Sequence, residues 1–342
     1  MNIKELMFSD KKVTYYFDAS FSYIEKIIEK SSAILLTDNN IYNKHPHLFE
    51  GWDTIIINAG ENTKQQKTID EVINQLIQKE ATRDTWLIGV GGGVITDITG
   101  FVAGIYMRGI NTGFIPTTLL AMVDAAVGGK SALDVGMYKN IIGLTKQPSF
   151  LLYDYSLLQT LSNEEWSNGF AEIIKHACIK DVTMFEMLET TSIDYFKLNN
   201  EALASLVYKN VMLKSAIAQN DELEKGERKL LNFGHTLGHA IETTHQISHG
   251  NAISVGMVCA ASFSSEISSL QKKSIQRIIA LLEKYNLPSA YRFNKEKVFE
   301  LIKMDKKRTG SNIKFIFISA IGEGFIKELS LIQVKQLIDK HC

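Results

Sequence analysis

Cysteine is scarce in this chain of 342 residues, and Cys178, Cys259 and Cys342 form no CxxC pair. That spacing excludes a disulfide framework and a thiolate zinc knuckle, so any bound metal must draw on histidine and carboxylate. Excess charge of one sign is also missing. Lys+Arg 37 against Asp+Glu 38 leaves a formal net charge of -1, with no positive surplus to neutralise a phosphate backbone, which argues against nucleic acid as a partner. Long uninterrupted apolar runs are absent too: the most apolar stretch, Trp86 through Tyr106, is broken by glycines and Asp97. A bilayer-spanning helix needs about 20 apolar residues, so no membrane span is expected. The segment MNIKELMFSDKKV carries charges where a secretory signal needs its apolar core, and a reducing cytoplasm is the expected setting. At 45% hydrophobic and 22% charged residues, the composition fits an ordinary globular protein and excludes intrinsic disorder. The length suits two domains of roughly 100 to 200 residues each better than one.

Glycine is present but unevenly spread: 12 of 23 fall between Gly89 and Gly143, which marks tight turns and close backbone approach. Upstream, the runs AILLTD, IIINAG and TWLIGVGGG alternate with helical patterns such as TIDEVINQLIQKE. Strands alternating with helices predict a parallel sheet, whose ligands sit outside the carboxyl ends of the strands. Thr37-Asp38, Ala59-Gly60-Glu61 and Gly91-Gly92-Gly93 fall at such ends. After about Leu152 long helical patterns take over, in EEWSNGFAEIIKHACI, EALASLVYKNVMLKSAIAQ, GHTLGHAIETTH, AISVGMVCAASFSSEI and KSIQRIIALLEKY, with IKFIFIS as a stray strand or hairpin arm.

The motifs, taken singly, are open to two readings each. GGGVITD follows a strand and suits a pyrophosphate, but it is not the GxGxxG fingerprint and equally suits a tight turn. In VDAAVGGKSALD, Lys130 follows a glycine pair as an anion ligand or as a solvated loop lysine, and Lys139-Asn140 adds a second anion-compatible pair. His235 and His239 at i, i+4 share a helical face, as two ligands of one metal or as core histidines, with His245 and His249 extending the cluster. Gly234 and Gly238 precede the pair and leave room for a close neighbour. Glu172 and Lys175 lie on a stripe bordering an apolar face. Lys214 falls in line with Val207, Asn210 and Val211, placed either for a ligand or for snorkelling to solvent. Arg228, Asn232 and His235 follow on one face.

Taken together and in order, GGGVITD, RG, PTTLLAMVDAAVGGKSALD, KN, GFAEIIKH, LLNFGHTLGHAIE and HG resemble the 3-dehydroquinate synthase family of sugar phosphate cyclases. The resemblance covers most of the chain, from Thr37 to Lys307, and its specificity lies in joint order and spacing. It implies an α/β N-terminal domain with a parallel, Rossmann-like sheet carrying NAD over residues 1–155. It also implies an all-α C-terminal domain over 156–342 carrying zinc, or cobalt in its place, and most catalytic groups. The active site would lie in the cleft of a homodimeric enzyme. The implied reaction converts 3-deoxy-D-arabino-heptulosonate 7-phosphate to 3-dehydroquinate and phosphate. It runs by transient oxidation with NAD, phosphate elimination, re-reduction, ring opening and aldol closure, as the second step of the shikimate pathway.

Carried over by motif, Glu172, His235 and His249 become the metal ligands, and His239 moves beside the substrate. Asp38, Asn40, Glu61, Lys64, Gly92, Gly93, Val94, Asp97, Thr117, Thr118, Lys139 and Thr160 surround NAD. Asp124, Lys130, Asn140, Lys175, Lys214, Arg228 and Asn232 face the substrate, with Glu224 nearby. Arg108 reaches the partner subunit's phosphate site, and Lys306 or Lys307 closes over the phosphate. The chain departs from the pattern where Asn251 follows His249-Gly250 in place of a glutamate, and where LSNEEW replaces a segment with an Arg-Glu pair. Two rivals keep the fold: another sugar phosphate cyclase, and a metal-dependent polyol dehydrogenase of the glycerol dehydrogenase type. Glu172 speaks against the second, since that group uses aspartate as its carboxylate ligand.

Overall fold

The computed structural model describes residues 1–9, 11–304 and 308–342. Its strands are β1 (Asn2–Met7), β2 (Lys12–Phe17), β3 (Ala33–Asp38), β4 (Asp53–Ile57), β5 (Trp86–Gly91), β6 (Asn111–Pro116), β7 (Lys130–Val135), β8 (Tyr138–Thr145), β9 (Phe150–Tyr153), β10 (Arg308–Thr309), β11 (Asn312–Ala320) and β12 (Glu323–Ser330). The α-helices are α1 (Asn39–Lys44), α2 (Gln66–Gln78), α3 (Gly93–Ile105), α4 (Asn163–Lys180), α5 (Val182–Thr190), α6 (Ile193–Leu198), α7 (Asn200–Asn220), α8 (His235–His245), α9 (His249–Ile267), α10 (Lys272–Lys284), α11 (Lys295–Lys303) and α12 (Leu331–His341). Two compact units emerge: Met1–Glu165 with Asn199–Leu223, and Trp166–Leu198 with Glu224–Cys342.

In the first unit a seven-stranded sheet runs in the order β1-β2-β9-β6-β5-β3-β4. It is parallel from β2 to β4, and β1 pairs antiparallel with β2 at one edge. Period-two alternation explains why it needs cover on both sides. Ile34, Leu36 and Leu87 point into one core with Ile69, Val72 and Leu76 of α2 and Ile98 and Val102 of α3. Ala33, Leu35, Ile88 and Val90 on the same strands point into the other, against Phe21, Ile24, Phe49 and Trp52. From β3 the chain moves outward to β4, then returns across β3 to β5, so strand order reverses between β3 and β5. The carboxyl ends of those strands carry Asp38 and the Gly91–Gly93 turn. Helix α7, far away in sequence, packs in this unit, where Ser215 hydrogen bonds Tyr15 of β2 at 3.1 Å.

The second unit is helical with a small antiparallel sheet, β10-β11-β12, in which IKFIFIS forms most of the central strand. Phe315 of β11 meets Phe263 of α9 with ring centroids 5.7 Å apart. Helix α4 is buried on every side from Trp166 to Ile179. Glu172 and Lys175 therefore do not lie at the border of a buried face but inside it. Among the described residues no helix is long and apolar enough to cross a membrane.

Candidate metal centre and cofactor site

Helix α3 starts directly from the end of β5. Gly92, at its N-cap, supplies no side chain to the helix, so the first N–H groups after Gly92 are left for another acceptor. The backbone there is closely walled. A Cβ on Gly92 would lie 3.1 Å from Thr118, and one on Gly93 would lie 3.2 Å from Ala125. At the end of β6, Thr117 donates its N–H to Gly91 at 2.9 Å, and its buried hydroxyl finds no partner among the described residues. A buried hydroxyl without a partner beside an open helix N-terminus suits a polar ligand. On the adjacent strand Asp38 caps α1, its Oδ1 accepting from Asn40 and Ile41 at 2.9 and 3.0 Å. Burial raises its carboxyl above the usual range, and those two N–H groups oppose the rise. Thr160 is held from the same side, its carbonyl accepting from Lys44 and its hydroxyl meeting His45, each at 3.0 Å.

A charged network joins the remaining residues of this set. Lys64, buried, pairs with Asp97 of α3 and donates to Asn140 Oδ1 at 2.6 Å. Burial would lower its ammonium, but Asp97 and Glu61 outweigh burial and raise it, so it stays charged. Lys139 lies 2.9 Å from Glu61 and 3.3 Å from Asp134, and Asp134 also accepts from the Asn140 N–H at 2.7 Å. Asn140 adopts φ 53 on β8 of the β7–β8 hairpin, a left-handed conformation that asparagine tolerates better than most residues. Lys130 is exposed at the start of the hairpin, and Arg108 is exposed on a turn with φ 67. Lys214 is buried rather than snorkelling to solvent: its Nζ donates to the Asp124 carbonyl at 2.8 Å and lies 2.9 Å from the Asp124 carboxylate.

The histidines and Glu172 belong to the second unit. Helices α8 and α9 approach through glycines: a Cβ on Gly256 would lie 2.0 Å from the Gly234 carbonyl oxygen, and one on Gly238 would lie 2.6 Å from Ile253. This contact brings His235, at the start of α8, beside His249, at the start of α9, with ring centroids 5.7 Å apart. Both present Nε2 to the same oxygen of Glu172, at 3.4 Å from His235 and 3.2 Å from His249. Donors about 2.0–2.2 Å from a tetrahedral ion are separated by roughly 3.3 to 3.6 Å, so this spacing is close to what a zinc-sized cation needs.

The other nitrogens are spoken for, which fixes the rings. His235 Nδ1 lies 3.1 Å from the Phe233 carbonyl, and His249 Nδ1 lies 3.3 Å from Glu242. An orienting acceptor behind each imidazole is the usual support of a metal ligand. Glu172 is 0% exposed and pairs with Lys175, itself 1% exposed. Burial would raise the Glu172 carboxyl, yet Lys175 and the two histidines hold it well below the ordinary range. Burial lowers the His235 imidazole against the pull of Glu172. His249 is pushed up to about 10: burial works against the rise, and Glu172 and Glu242 outweigh it. A carboxylate and two imidazoles form a mixed oxygen and nitrogen donor set of the kind that holds zinc.

His239 lies 5.1 Å from His235 between ring centroids, and His239, Glu242 and His249 form a second group of donors within 4.8 Å. In that group Glu242 already serves as the acceptor behind His249. Arg228 is 1% exposed, and Asn232 donates to the Glu224 carboxylate. Lys306 and Lys307 lie outside the described residues. Sequence reasoning missed Glu242, Asp134 and Asn168. Helical spacing gave no signal for them, because their partners come from other elements.

The chain matches a family model described as 3-dehydroquinate synthase N-terminal over residues 54–168 and one described as 3-dehydroquinate synthase C-terminal over 169–308. It is 35% identical over 336 residues to the 3-dehydroquinate synthase of Thermoanaerobacter pseudethanolicus, covering 93% of this chain and 94% of that protein. Among solved structures, 2-deoxy-scyllo-inosose synthase with carbaglucose-6-phosphate, NAD+ and Co2+ superimposes with a TM-score of 0.85 at 23% identity, covering 100% of both chains. The 2-epi-5-epi-valiolone synthase of Streptomyces hygroscopicus subsp. jinggangensis, with NAD+ and Zn2+ bound, gives 0.86 at 22% identity, covering 99% of this chain and 98% of that one. At such identities the likeness is one of fold.

Proposed function

The chain belongs to the 3-dehydroquinate synthase family, and from that premise we propose how its residues convert 3-deoxy-D-arabino-heptulosonate 7-phosphate into 3-dehydroquinate and phosphate in the shikimate pathway. The observation that carries the reading is the meeting of Glu172, His235 and His249, backed by Lys175, in a chain whose strand ends offer a dinucleotide cradle. NAD and a divalent ion, zinc or cobalt, are the cofactors. When bound they supply transient oxidation of a substrate hydroxyl and a Lewis-acidic charge beside the reacting oxygens.

The residues of the chain bind and orient. Glu172, His235 and His249 would hold the ion. Gly92, Gly93, Val94 and Asp97 at the start of α3, with Thr117 and Thr118, would receive the pyrophosphate half of NAD. Asp38 and Asn40 would meet a ribose, and Glu61, Lys64, Lys139 and Thr160 would complete that wall. Asn140 accepts from Lys64 through its amide oxygen, and its NH2 group is of the chemistry that donates to an anion. We assign Asn140, Lys130 and Arg108 to the substrate phosphate, joined by Lys306 or Lys307. Arg228, whose planar fork suits a carboxylate in bidentate fashion, takes the other end with Lys214. Asp124, Lys175, Glu224, Asn232 and His239 line the reacting middle. A buried Lys175 beside Glu172 keeps a positive charge next to the ligands and a proton donor at Nζ.

The functional division proposed is NAD on residues 1–155 and metal with substrate on 156–342, although α7 packs with the first compact unit. We also propose a cytoplasmic homodimer. The exposed apolar side chains of the hairpin, Val135, Met137, Ile141 and Ile142, and of Met107 in the Arg108 turn, support a second copy as partner. Sedimentation velocity tests this: a monomer at micromolar concentration refutes it.

The assignments at the two substrate ends are tested by calorimetry with a substrate-like phosphonate. A charge-assisted hydrogen bond contributes roughly 1.5–3 kcal/mol, so Arg228→Ala is expected to weaken binding about ten- to a hundredfold. An analogue lacking the carboxylate should bind the variant and the wild type alike. Equal weakening of both ligands, with metal content and NAD affinity unchanged, would contradict the carboxylate assignment. Lys130→Ala is expected to penalise the phosphonate and spare an analogue without that group.

A further inference from the structure

Helix α9 brings His249 into the metal centre as its first residue, so whatever holds the start of α9 holds a ligand. Helices normally fix this end with the N-cap side chain, which accepts from the second or third N–H. Here the N-cap is Ser248, an ordinary capping residue in extended conformation, yet its side chain makes no cap hydrogen bond. Its buried hydroxyl has no partner among the described residues. The N–H of Gly250, the second of the helix, donates instead to Asn168 Oδ1 of α4 at 3.0 Å, a buried bond linking residues 82 apart in the chain.

Three further observations give this bond its meaning. Asn168 is 5% exposed, so losing it leaves a buried N–H unsatisfied rather than handed to water. The approach is as close as backbone permits: a Cβ on Gly250 would lie 2.6 Å from the Asn168 Cα and from its Oδ1. Asn168 also stands one helical turn before Glu172 on α4, at the i, i+4 spacing that puts both on one face. One face of α4 therefore supplies a ligand through Glu172 and, a turn earlier, holds the backbone beside His249. His249 Nε2 and Glu172 lie 3.2 Å apart.

We propose that Asn168 is a positioning residue of the metal centre: its amide oxygen replaces the silent Ser248 as the cap of α9 and fixes His249 in register with Glu172. This rests on the reading of Glu172, His235 and His249 as metal ligands. Loss of such an outer contact typically costs ten- to a hundredfold in metal affinity.

The test uses the full chain stripped of metal, titrated with Co2+ against a competing chelator, with the visible d–d absorption of cobalt recorded alongside circular dichroism. Asn168→Ala is expected to remain folded, bind Co2+ ten- to a hundredfold more weakly and show altered d–d bands, because His249 is no longer held. Asn168→Asp keeps an acceptor at the same place, at a helix end that favours negative charge, and is expected to restore affinity and spectrum. Ser248→Ala is expected to change neither. Wild-type affinity and bands in Asn168→Ala would overturn the proposal. So would Asn168→Asp behaving like alanine, or Ser248→Ala losing metal. If Asn168→Ala does not fold, the Asp and Ser248 variants still decide the matter. His249→Ala separates the two levels of the argument. If His249→Ala binds Co2+ as the wild type does, the ligand reading itself fails. If His249→Ala loses metal while Asn168→Ala does not, only the positioning role fails.

Discussion

Replacing Glu172 with glutamine separates its two roles, as an ion pair within the protein and as a metal ligand. Glu172 is 0% exposed and Lys175 1% exposed, and the two pair three residues apart on α4. Removing one partner of a buried pair typically destabilises by about 3–5 kcal/mol, because the remaining charge has no water to return to. Glutamine still offers Lys175 an oxygen, so Glu172→Gln is expected near the lower end, about 3 kcal/mol, a large share of the roughly 5–15 kcal/mol that holds a protein folded. Most of that cost comes from the Lys175 ammonium, so the double variant Glu172→Gln/Lys175→Met is expected to recover at least half of it. Urea unfolding in the presence of a chelator measures this without any contribution from bound metal. Metal binding behaves differently: both variants are expected to lose it, since the one anionic donor is gone from the Glu172, His235 and His249 set. If the double variant unfolds at the same urea concentration as the single one, the ion-pair reasoning is wrong. If either variant holds one ion per chain with wild-type affinity, Glu172 is not a ligand.

Gly256→Ala places a methyl group 2.0 Å from a backbone oxygen. It is expected to destabilise by roughly 3 kcal/mol and to weaken metal binding by parting His235 from His249; a thermal midpoint and a metal titration both unchanged would refute the glycine contact. His239→Ala is expected to keep its metal while His249→Ala loses it, as measured by bound zinc on folded protein, and equal loss would return His239 to the ligands. Arg277 grips Glu189 through two hydrogen bonds of 2.8 and 2.6 Å, and those bonds, opposed only by slight burial, lower the Glu189 carboxyl. A depressed carboxylate stabilises the fold above its unfolded value and loses that contribution as pH falls through the lowered one. Glu189→Gln is therefore expected to cost about 0.5–1 kcal/mol at pH 7, at the upper range for a partly exposed pair, with the gap closing as pH falls through the lowered value. A gap independent of pH would assign the cost to packing.

What the sequence made legible follows the range of each physical signal. Short apolar runs and strand-end glycines marked β3, β5 and the start of α3, because those patterns depend on neighbours in the chain. The helical spacing of His235 and His239 is equally local, and it carries no sign that the nitrogen meeting Glu172 beside His235 belongs to His249, on the next helix. Gly234 and Gly238 signalled a close neighbour, but nothing local says that the neighbour is α9 at Ile253 and Gly256. The same limit hid α7, whose Ser215 bonds Tyr15 across 200 residues, and Glu242 and Asn168, whose roles exist only once helices pack. Lys214 read equally well as a snorkelling side chain, since a sequence pattern does not reveal that Asp124 waits to receive it.

Return of the hydride within one catalytic cycle separates a cyclase from a dehydrogenase. Incubating the metal-loaded protein with the heptulosonate phosphate and NAD, while phosphate release and reduced-nicotinamide absorbance are followed together, measures it directly. The expected result is one phosphate released per substrate consumed, with NADH never exceeding the concentration of enzyme. One NADH accumulating per substrate, with or without phosphate, would make the protein a dehydrogenase and contradict the cyclase reading.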